Sequence, residues 1–383
     1  MPTSFLELKK AKIDDADTEF AYIDSGPPPG DTYITLVIVH GFMYTSQNFA
    51  RLITFSEKHN TRVIALNRRD YIGTTLFSDR ELAQISENST REQHETFLRE
   101  RGEEIAKFLV WIIKELKIPQ ASDSGDGGLS LLGWSLGNIF TLAFMGHLHL
   151  YPTSYIETLE PYFRTFFIYE CGSGSYGYST PYYHPVRDPS IPPRLRGVTF
   201  GAWVSTYYEH PFYKRKSTLE LQKSISTLVQ KPLFPADKNT FETFTAEELT
   251  AFVDSSPSER SDLPLQRAIS LETFLKQTKR TFIGLSSGSD GESKDSEAGS
   301  ISNKLLLPKV EVHVLFGEAS IWSIHWGLWE LEKDFEKWKS QAESRGGRIR
   351  PMYYLPVKDG NHFIHWDLPD LFLRLTRQAA RNE

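Results

Sequence analysis

Two pentapeptides in this chain set a serine between glycines two residues away on either side: Gly133-Trp134-Ser135-Leu136-Gly137 and Gly284-Leu285-Ser286-Ser287-Gly288. On a strained turn from a strand into a helix such a serine is lifted clear of a sheet, and the glycines let neighbouring backbone come close. The chemistry open to it is acyl transfer, once an imidazole accepts its proton and a carboxylate fixes the tautomer of that imidazole. Only the first copy has the required setting. Leu129, Leu131 and Leu132 form an apolar run ahead of it, and Asn138 to Leu150 continue as an apolar helix. The second copy runs into SDGESKDSEAGS, a polar segment that cannot form a packed helix. Ser135 is therefore the expected nucleophile and Ser286 is not.

A base and an acid must come from elsewhere. His362 lies in GNHFIHWDLPD, on a glycine-containing loop after an apolar strand, which leaves its ring free to reach over the sheet. His365 is read as structural, and His40 as a turn residue that bonds backbone. Glu170 ends the apolar run TFFIYE, where an unpaired carboxylate is costly, so it needs a partner, and a histidine that becomes cationic during turnover supplies one. Glu318, in Gly317-Glu318-Ala319-Ser320, is the alternative acid.

Alternating strands and helices position these groups. Phe5 to Ile13 and Glu19 to Ile23 read as a hairpin, Tyr33 to Val39 as a strand buried on both faces, Ser46 to about Lys58 as a helix, and Thr61 to Leu66 as another buried strand. Apolar positions at helical spacing make Arg91 to Leu116 a long crossover helix. A strand at Thr165 to Tyr169 follows the nucleophile unit, after which the alternation stops for roughly 130 residues and returns at Val310 to Phe316. A helix from Trp322 to Ser340, a strand from Arg350 to Val357 and a terminal helix complete the chain. The expected fold class is α/β, with a mostly parallel sheet of seven or eight strands, helices on both faces and an inserted cap. The corresponding division is a first core part over 1–170, a cap over 171–307 with a flexible polar segment at 286–302, and a second core part over 308–383.

Composition narrows the function classes. The 383 residues suffice for a large core, and 43 basic against 49 acidic residues, a net charge of −6 without a basic block, argue against nucleic acid as a partner. The single cysteine, Cys171, rules out an internal disulfide and a multi-cysteine metal site. Neither metal nor cofactor is expected. No stretch approaches the ~20 apolar residues of a membrane span and the first residues lack an apolar leader, so a cytoplasmic location is the expectation. Oligomeric state is left open.

His40-Gly41-Phe42 after a buried strand, GWSLG after a later one and GNHFIHWDLPDLF after the last together resemble the α/β-hydrolase superfamily over about residues 5 to 170 and 308 to 380. The resemblance implies Ser135 as nucleophile and His362 as base, with the backbone N–H groups of Phe42 and Leu136 as oxyanion donors. Relatives that open epoxides or remove halide carry aspartate in place of the serine, so acyl chemistry is implied here. The family's acid usually follows the strand after the cap, where this chain has Ser320; Glu170 is similar to the strand-end acid of haloalkane dehalogenases. Trp134 beside the nucleophile, with Tyr176, Tyr178 and Trp203 from an aromatic cap that also holds Tyr182, are the expected contacts for an apolar or aromatic small-molecule substrate. The expected activity is cleavage of an ester or lactone, or of an amide or thioester, by a Ser-His-Glu triad. An acyltransferase, lyase or cyclase on the same triad, or a silent binding protein, is the alternative.

Overall fold

The computed structural model describes residues 5–179, 183–214, 223–231, 238–284, 305–344 and 346–381. Tyr182, Ser286 and the segment 286–302 lie outside the described residues. Eight strands form one sheet: β1 (Lys9–Lys12), β2 (Glu19–Asp24), β3 (Ile34–Val39), β4 (Thr61–Leu66), β5 (Leu129–Trp134), β6 (Phe163–Tyr169), β7 (Glu311–Gly317) and β8 (Met352–Val357). Their order is β1-β2-β4-β3-β5-β6-β7-β8. β2 runs antiparallel to β1 and β4, and every other neighbouring pair is parallel. β3, β4 and β5 are buried at each position. Their mostly apolar sequences follow from this, since an alternating pattern would put polar side chains against a covered face; of the buried polar exceptions Thr35, Thr61, Arg62 and Ser130, Arg62 is paired with Asp24.

The parallel register brings the carboxyl ends together. Val39 pairs with Leu66 and Gly133, Trp134 with Tyr169, and Gly317 with Val357. The turns after β3, β5, β6, β7 and β8 therefore open on one edge of the sheet, where ligands of open α/β sheets bind.

Helix α1 (Arg91–Leu116) is as expected, opened by a Thr90–Gln93 capping box. α2 (Gly137–Gly146) follows β5 and is buried along its whole length. The expected helix from Ser46 to Lys58 is shorter: a tight turn over Ser46–Phe49 and one helical turn over Ala50–Ile53. The hydroxyls of Thr54 and Ser56 donate back to the carbonyls of Arg51 and Ile53, each at 2.8 Å, which favours turns over propagation.

Between β6 and β7 the described residues add no strand to the sheet; they include α3 (Pro193–Ser205), α4 (Leu263–Ala268) and α5 (Leu271–Ile283). α5 packs on α2, with Gln277 Nε2 donating to the Ile139 carbonyl at 3.1 Å and Thr278 Oγ1 to the Tyr176 carbonyl at 3.0 Å. The last described helix of the 171–307 stretch is thus built into the core. α6 (Trp322–Glu343) and α7 (Pro369–Ala380) follow β7 and β8.

Candidate active site

Ser135 follows the last residue of β5 at φ 54°, a left-handed conformation that costs a non-glycine residue about 1–3 kcal/mol unless its surroundings hold it. They do. The Ser135 N–H donates to the Tyr169 carbonyl at 3.0 Å, and Asn138 Nδ2 donates to the carbonyls of both Ser135 and Tyr169 at 2.9 Å. A Cβ at Gly137 would run into the carbonyl oxygens of Val39 and His40, and one at Gly41 would come within 2.8 Å of Ser135 Cβ. The glycines are therefore required by the approach of the β3 turn to the β5 turn.

Glu170, the residue after β6, also has positive φ, 50°. This turn directs its carboxylate back into the buried edge, where Oε1 accepts from the Gly317 N–H at 2.6 Å. Oε2 accepts from His362 Nδ1 at 2.8 Å and from the hydroxyl of Ser320. Both Glu170 and His362 are almost entirely buried, at 1% and 2% exposure, so their pairing is not screened by solvent. A carboxylate at Nδ1 fixes the proton there and leaves Nε2 free to accept. Glu318 makes no hydrogen bond or ion pair with His362 among the described residues; burial raises its carboxyl above the ordinary range, with Asp359 adding to the effect.

The loop that carries His362 is clamped. Its carbonyl accepts from Trp134 Nε1 at 3.0 Å, and Asn361 spans from the Ser205 carbonyl at 2.6 Å to the Phe363 N–H at 2.8 Å. His365 bonds Tyr169 Oη through Nδ1 at 3.0 Å and Asn48 Oδ1 through Nε2 at 2.5 Å, and burial holds it far below the usual imidazole range.

On the other side of Ser135, the Arg68 N–H donates to His40 Nε2 at 2.9 Å, so the His40 proton is on Nδ1, which donates to the Gly41 carbonyl at 2.9 Å. Burial, and after it the charge of Arg68, keeps His40 neutral. The Arg68 guanidinium donates to the carbonyls of His40 and Gly41, both at 3.1 Å, and forms a two-pronged pair with Asp262 at 2.8 Å per bond. Tyr71 Oη donates to Asp262 at 2.6 Å and accepts from the Met43 N–H at 3.0 Å. The N–H groups of Phe42 and Leu136 are left without a hydrogen-bond acceptor among the described residues. Of these groups, His40 as a turn residue and the N–H groups of Phe42 and Leu136 were expected, whereas Arg68, Tyr71 and Asp262 were not; their signal is the pair of arginines in NRRDY at the end of a buried strand.

Ser135, His362, Phe42 and Leu136 line one cavity of about 250 Å³. Trp203, on α3, lines it too, along with Ile139, Phe200 and Phe274. Trp134, Tyr176 and Tyr178, the other expected substrate contacts, are not among its lining residues. Trp134 is spent on the His362 carbonyl and packs beside that ring, 5.3 Å between centroids. Tyr178 Oη reaches Asp334 on α6 at 3.3 Å, and Tyr176 is buried where α5 crosses, its carbonyl accepting from Thr278. Both lie at the start of the connection, where it still belongs to the core.

No described helix is long and apolar enough to cross a membrane, and among the described residues no three His, Cys, Asp or Glu side chains are grouped to hold a metal ion. No family model matches the chain, and no protein of curated function matches it in sequence. Solved structures do match along nearly its whole length. A bromoperoxidase from Bacillus anthracis is 12% identical, with 98% of this chain and 100% of that one covered at a TM-score of 0.45. An epoxide hydrolase from Vigna radiata is 14% identical, with 99% of each chain covered at 0.49. A bacterial membrane phospholipase A is 13% identical, with 99% of this chain and 88% of that one covered at 0.45. At these identities and scores they are likenesses from which no activity is carried over. The order β1-β2-β4-β3-β5-β6-β7-β8, with a left-handed serine on the turn after β5 and a histidine after β8, gives this chain an α/β-hydrolase fold.

Proposed function

We propose that the protein is a serine hydrolase that cleaves a carboxylic ester or lactone through an acyl-enzyme. The observation that carries this reading is the 2.8 Å bond between His362 Nδ1 and a buried Glu170 carboxylate, in a site whose cavity also exposes Ser135. Ser135 Oγ attacks the carbonyl carbon while His362 Nε2 takes its proton, and the C=O electrons move onto oxygen, facing the N–H groups of Phe42 and Leu136. Collapse of this intermediate breaks the bond to the leaving alcohol, which takes the proton from His362. Water then repeats the sequence: its proton goes to His362, its oxygen joins the acyl carbon, and the released acid leaves Ser135 protonated again. Glu170 holds the tautomer and stabilises the imidazolium. Removing an oxyanion donor in an analogous site costs about 10²–10³ in rate, so the placement of the β3 turn contributes substantially beside the triad.

The test is labelling with a fluorophosphonate, with the modified residue identified by mass spectrometry, together with turnover of p-nitrophenyl esters of graded chain length and of lactones. Label on Ser135, lost with activity in a folded Ser135→Ala variant, is the expected result. An unlabelled wild-type protein, or activity retained in Ser135→Ala, would overturn the reading. Product analysis with and without an added alcohol separates hydrolysis from transfer.

A further inference from the structure

The segments that follow β6 and β7 bring two further hydroxyls to the Ser135 cavity. Ser173, shortly after Glu170, and Ser323, shortly after Ser320, both line it. Ser323 is 8% exposed and Ser173 is wholly buried, and neither hydroxyl has a hydrogen-bond partner among the described residues. The two segments are packed together. A Cβ on Gly327 of α6 would come within 2.8 Å of Ser173 Cα, and one on Gly172 would stand 3.8 Å from Ser323 Oγ, with no other described atom outside its chain neighbours within 4 Å. Gly172 lines the cavity too. Its φ of −66° and ψ of 149° are open to any residue, so neither the backbone nor a close approach demands glycine there. What the missing side chain leaves is room beside Ser323 Oγ.

Strand order sets this corner apart from the oxyanion donors. Phe42 follows β3 on one side of β5, whereas Gly172 and Ser323 follow β6 and β7 on the other. Ile139, Phe200, Trp203 and Phe274 make other parts of the lining apolar. A buried hydroxyl without a partner is unfavourable, and a ligand group that pairs with it gains what an apolar group of the same size cannot. We propose that the corner between Gly172 and Ser323 is a specificity subsite for a neutral hydroxyl group, so that the substrate is an ester or lactone carrying a hydroxyl besides its scissile group. The inference rests on the reading of Ser135 as the nucleophile. A substrate hydroxyl both donates and accepts, as that of Ser323 does. A carboxylate there would sit on the turn that already carries the buried Glu170 charge, and an ammonium would compete with His362 for it.

Three pairs of esters test it, each pair exchanging a hydroxyl for a methyl group. Ethyl β-hydroxycaproate against ethyl β-methylcaproate and ethyl ω-hydroxycaproate against ethyl heptanoate place the hydroxyl on the acyl side; hydroxybutyl caproate against pentyl caproate places it on the alcohol side. In at least one pair the hydroxylated ester should have a kcat/KM about tenfold higher, the size of one net hydrogen bond, and that pair identifies the part of the ester that lies in the corner. The ratio should fall to about one in Ser323→Ala, and also in Gly172→Val, which fills the corner at a backbone conformation valine readily adopts. Because the Ser323 hydroxyl holds nothing within the protein, Ser323→Ala should unfold in urea at the wild-type midpoint or above it. A lowered midpoint would show that the hydroxyl serves the fold and would overturn the proposal. So would the lack of a preference in every pair, or a preference that Ser323→Ala leaves intact, while turnover of p-nitrophenyl acetate by the wild type would leave the hydrolase reading standing. Calorimetric binding of the same pairs to Ser135→Ala measures the preference even if the wild type turns none of them over. There the hydroxylated member of one pair should bind about tenfold tighter, and equal binding in all three would count against the subsite.

Discussion

Ser320 donates its hydroxyl hydrogen bond to Glu170 Oε2, the same oxygen that accepts from His362 Nδ1 at 2.8 Å. In the family that the motifs resemble, the turn after β7 is where the acid usually stands. Here that turn supplies a neutral donor, and the negative charge comes from β6. Ser320 is itself held, because the Val229 N–H donates to His210 Nδ1 at 2.9 Å and His210 Nε2 then donates to the Ser320 carbonyl at 2.6 Å. Burial lowers His210 to about 4, so this tether is neutral at physiological pH. A residue of the connection between β6 and β7 thus steadies the acid side of the site.

If Glu170 is the acid, Glu170→Gln should lower kcat by about 10⁴, the loss seen when the carboxylate of a comparable triad becomes an amide. Ser320→Ala removes one charge-assisted donor and leaves the Gly317 N–H, so a loss of about tenfold is expected. Glu318→Gln should change little. Steady-state kinetics on a p-nitrophenyl ester, with circular dichroism to confirm folding, gives the ranking. An order with Glu318 first would mean that the acid has not moved to β6.

The Arg68–Asp262 pair does for the loop at His40 and Gly41 what His210 does for Ser320. Asp262→Asn would leave a buried guanidinium uncompensated, a loss of about 3–5 kcal/mol in urea unfolding. Arg68→Met/Asp262→Leu removes both charges and should recover most of that stability. It should not recover kcat, because the carbonyls of His40 and Gly41 lose the donors that fix the loop ahead of Phe42. A double variant that regains stability and full kcat together would reduce the pair to a packing role.

Much of the site was legible in the sequence because local pattern and local structure agree there. Apolar runs at Thr35 to Val39 and Leu129 to Leu132 have to be strands covered on both faces, and a glycine-flanked serine between such a strand and an apolar helix has few conformations open to it. Glu170 was legible for a different reason: a carboxylate ending an apolar strand requires a partner. What stayed hidden depends on side chains far apart in sequence. Nothing near Asp262 says that it meets Arg68, and nothing in SGSYGYS separates tyrosines that pack against α5 and α6 from aromatics such as Trp203 that face the cavity. Composition marks aromatic surface, but it cannot tell on which side of the connection that surface falls.

A final prediction concerns acid stability and lies outside the site. His313 sits in β7 between Phe167 and Tyr353, with ring centroids 5.6 and 5.1 Å away, and neither ring nitrogen has a hydrogen-bond partner among the described residues. Its nearest carboxylate oxygen, on Glu311, is 3.7 Å from Nε2. Burial lowers His313 to about 4, whereas the unfolded chain has the ordinary value of about 6.5. Between those values the unfolded state binds a proton that the folded state does not, so stability falls as pH drops from about 6.5 to about 4 and rises with pH across the same window. His313→Phe keeps a ring between its two aromatic neighbours and removes the titrating group. The variant should be close to wild type in urea unfolding at pH 7.5 and more stable by about 2 kcal/mol at pH 5. The remaining slope would belong to the other histidines that burial lowers, His147, His184 and His210 to about 4 and His40, His94, His325 and His365 also below the ordinary value. An unchanged slope in His313→Phe, or a loss of stability at pH 5, would show that the imidazole takes up its proton in the folded state, with Glu311 as its partner.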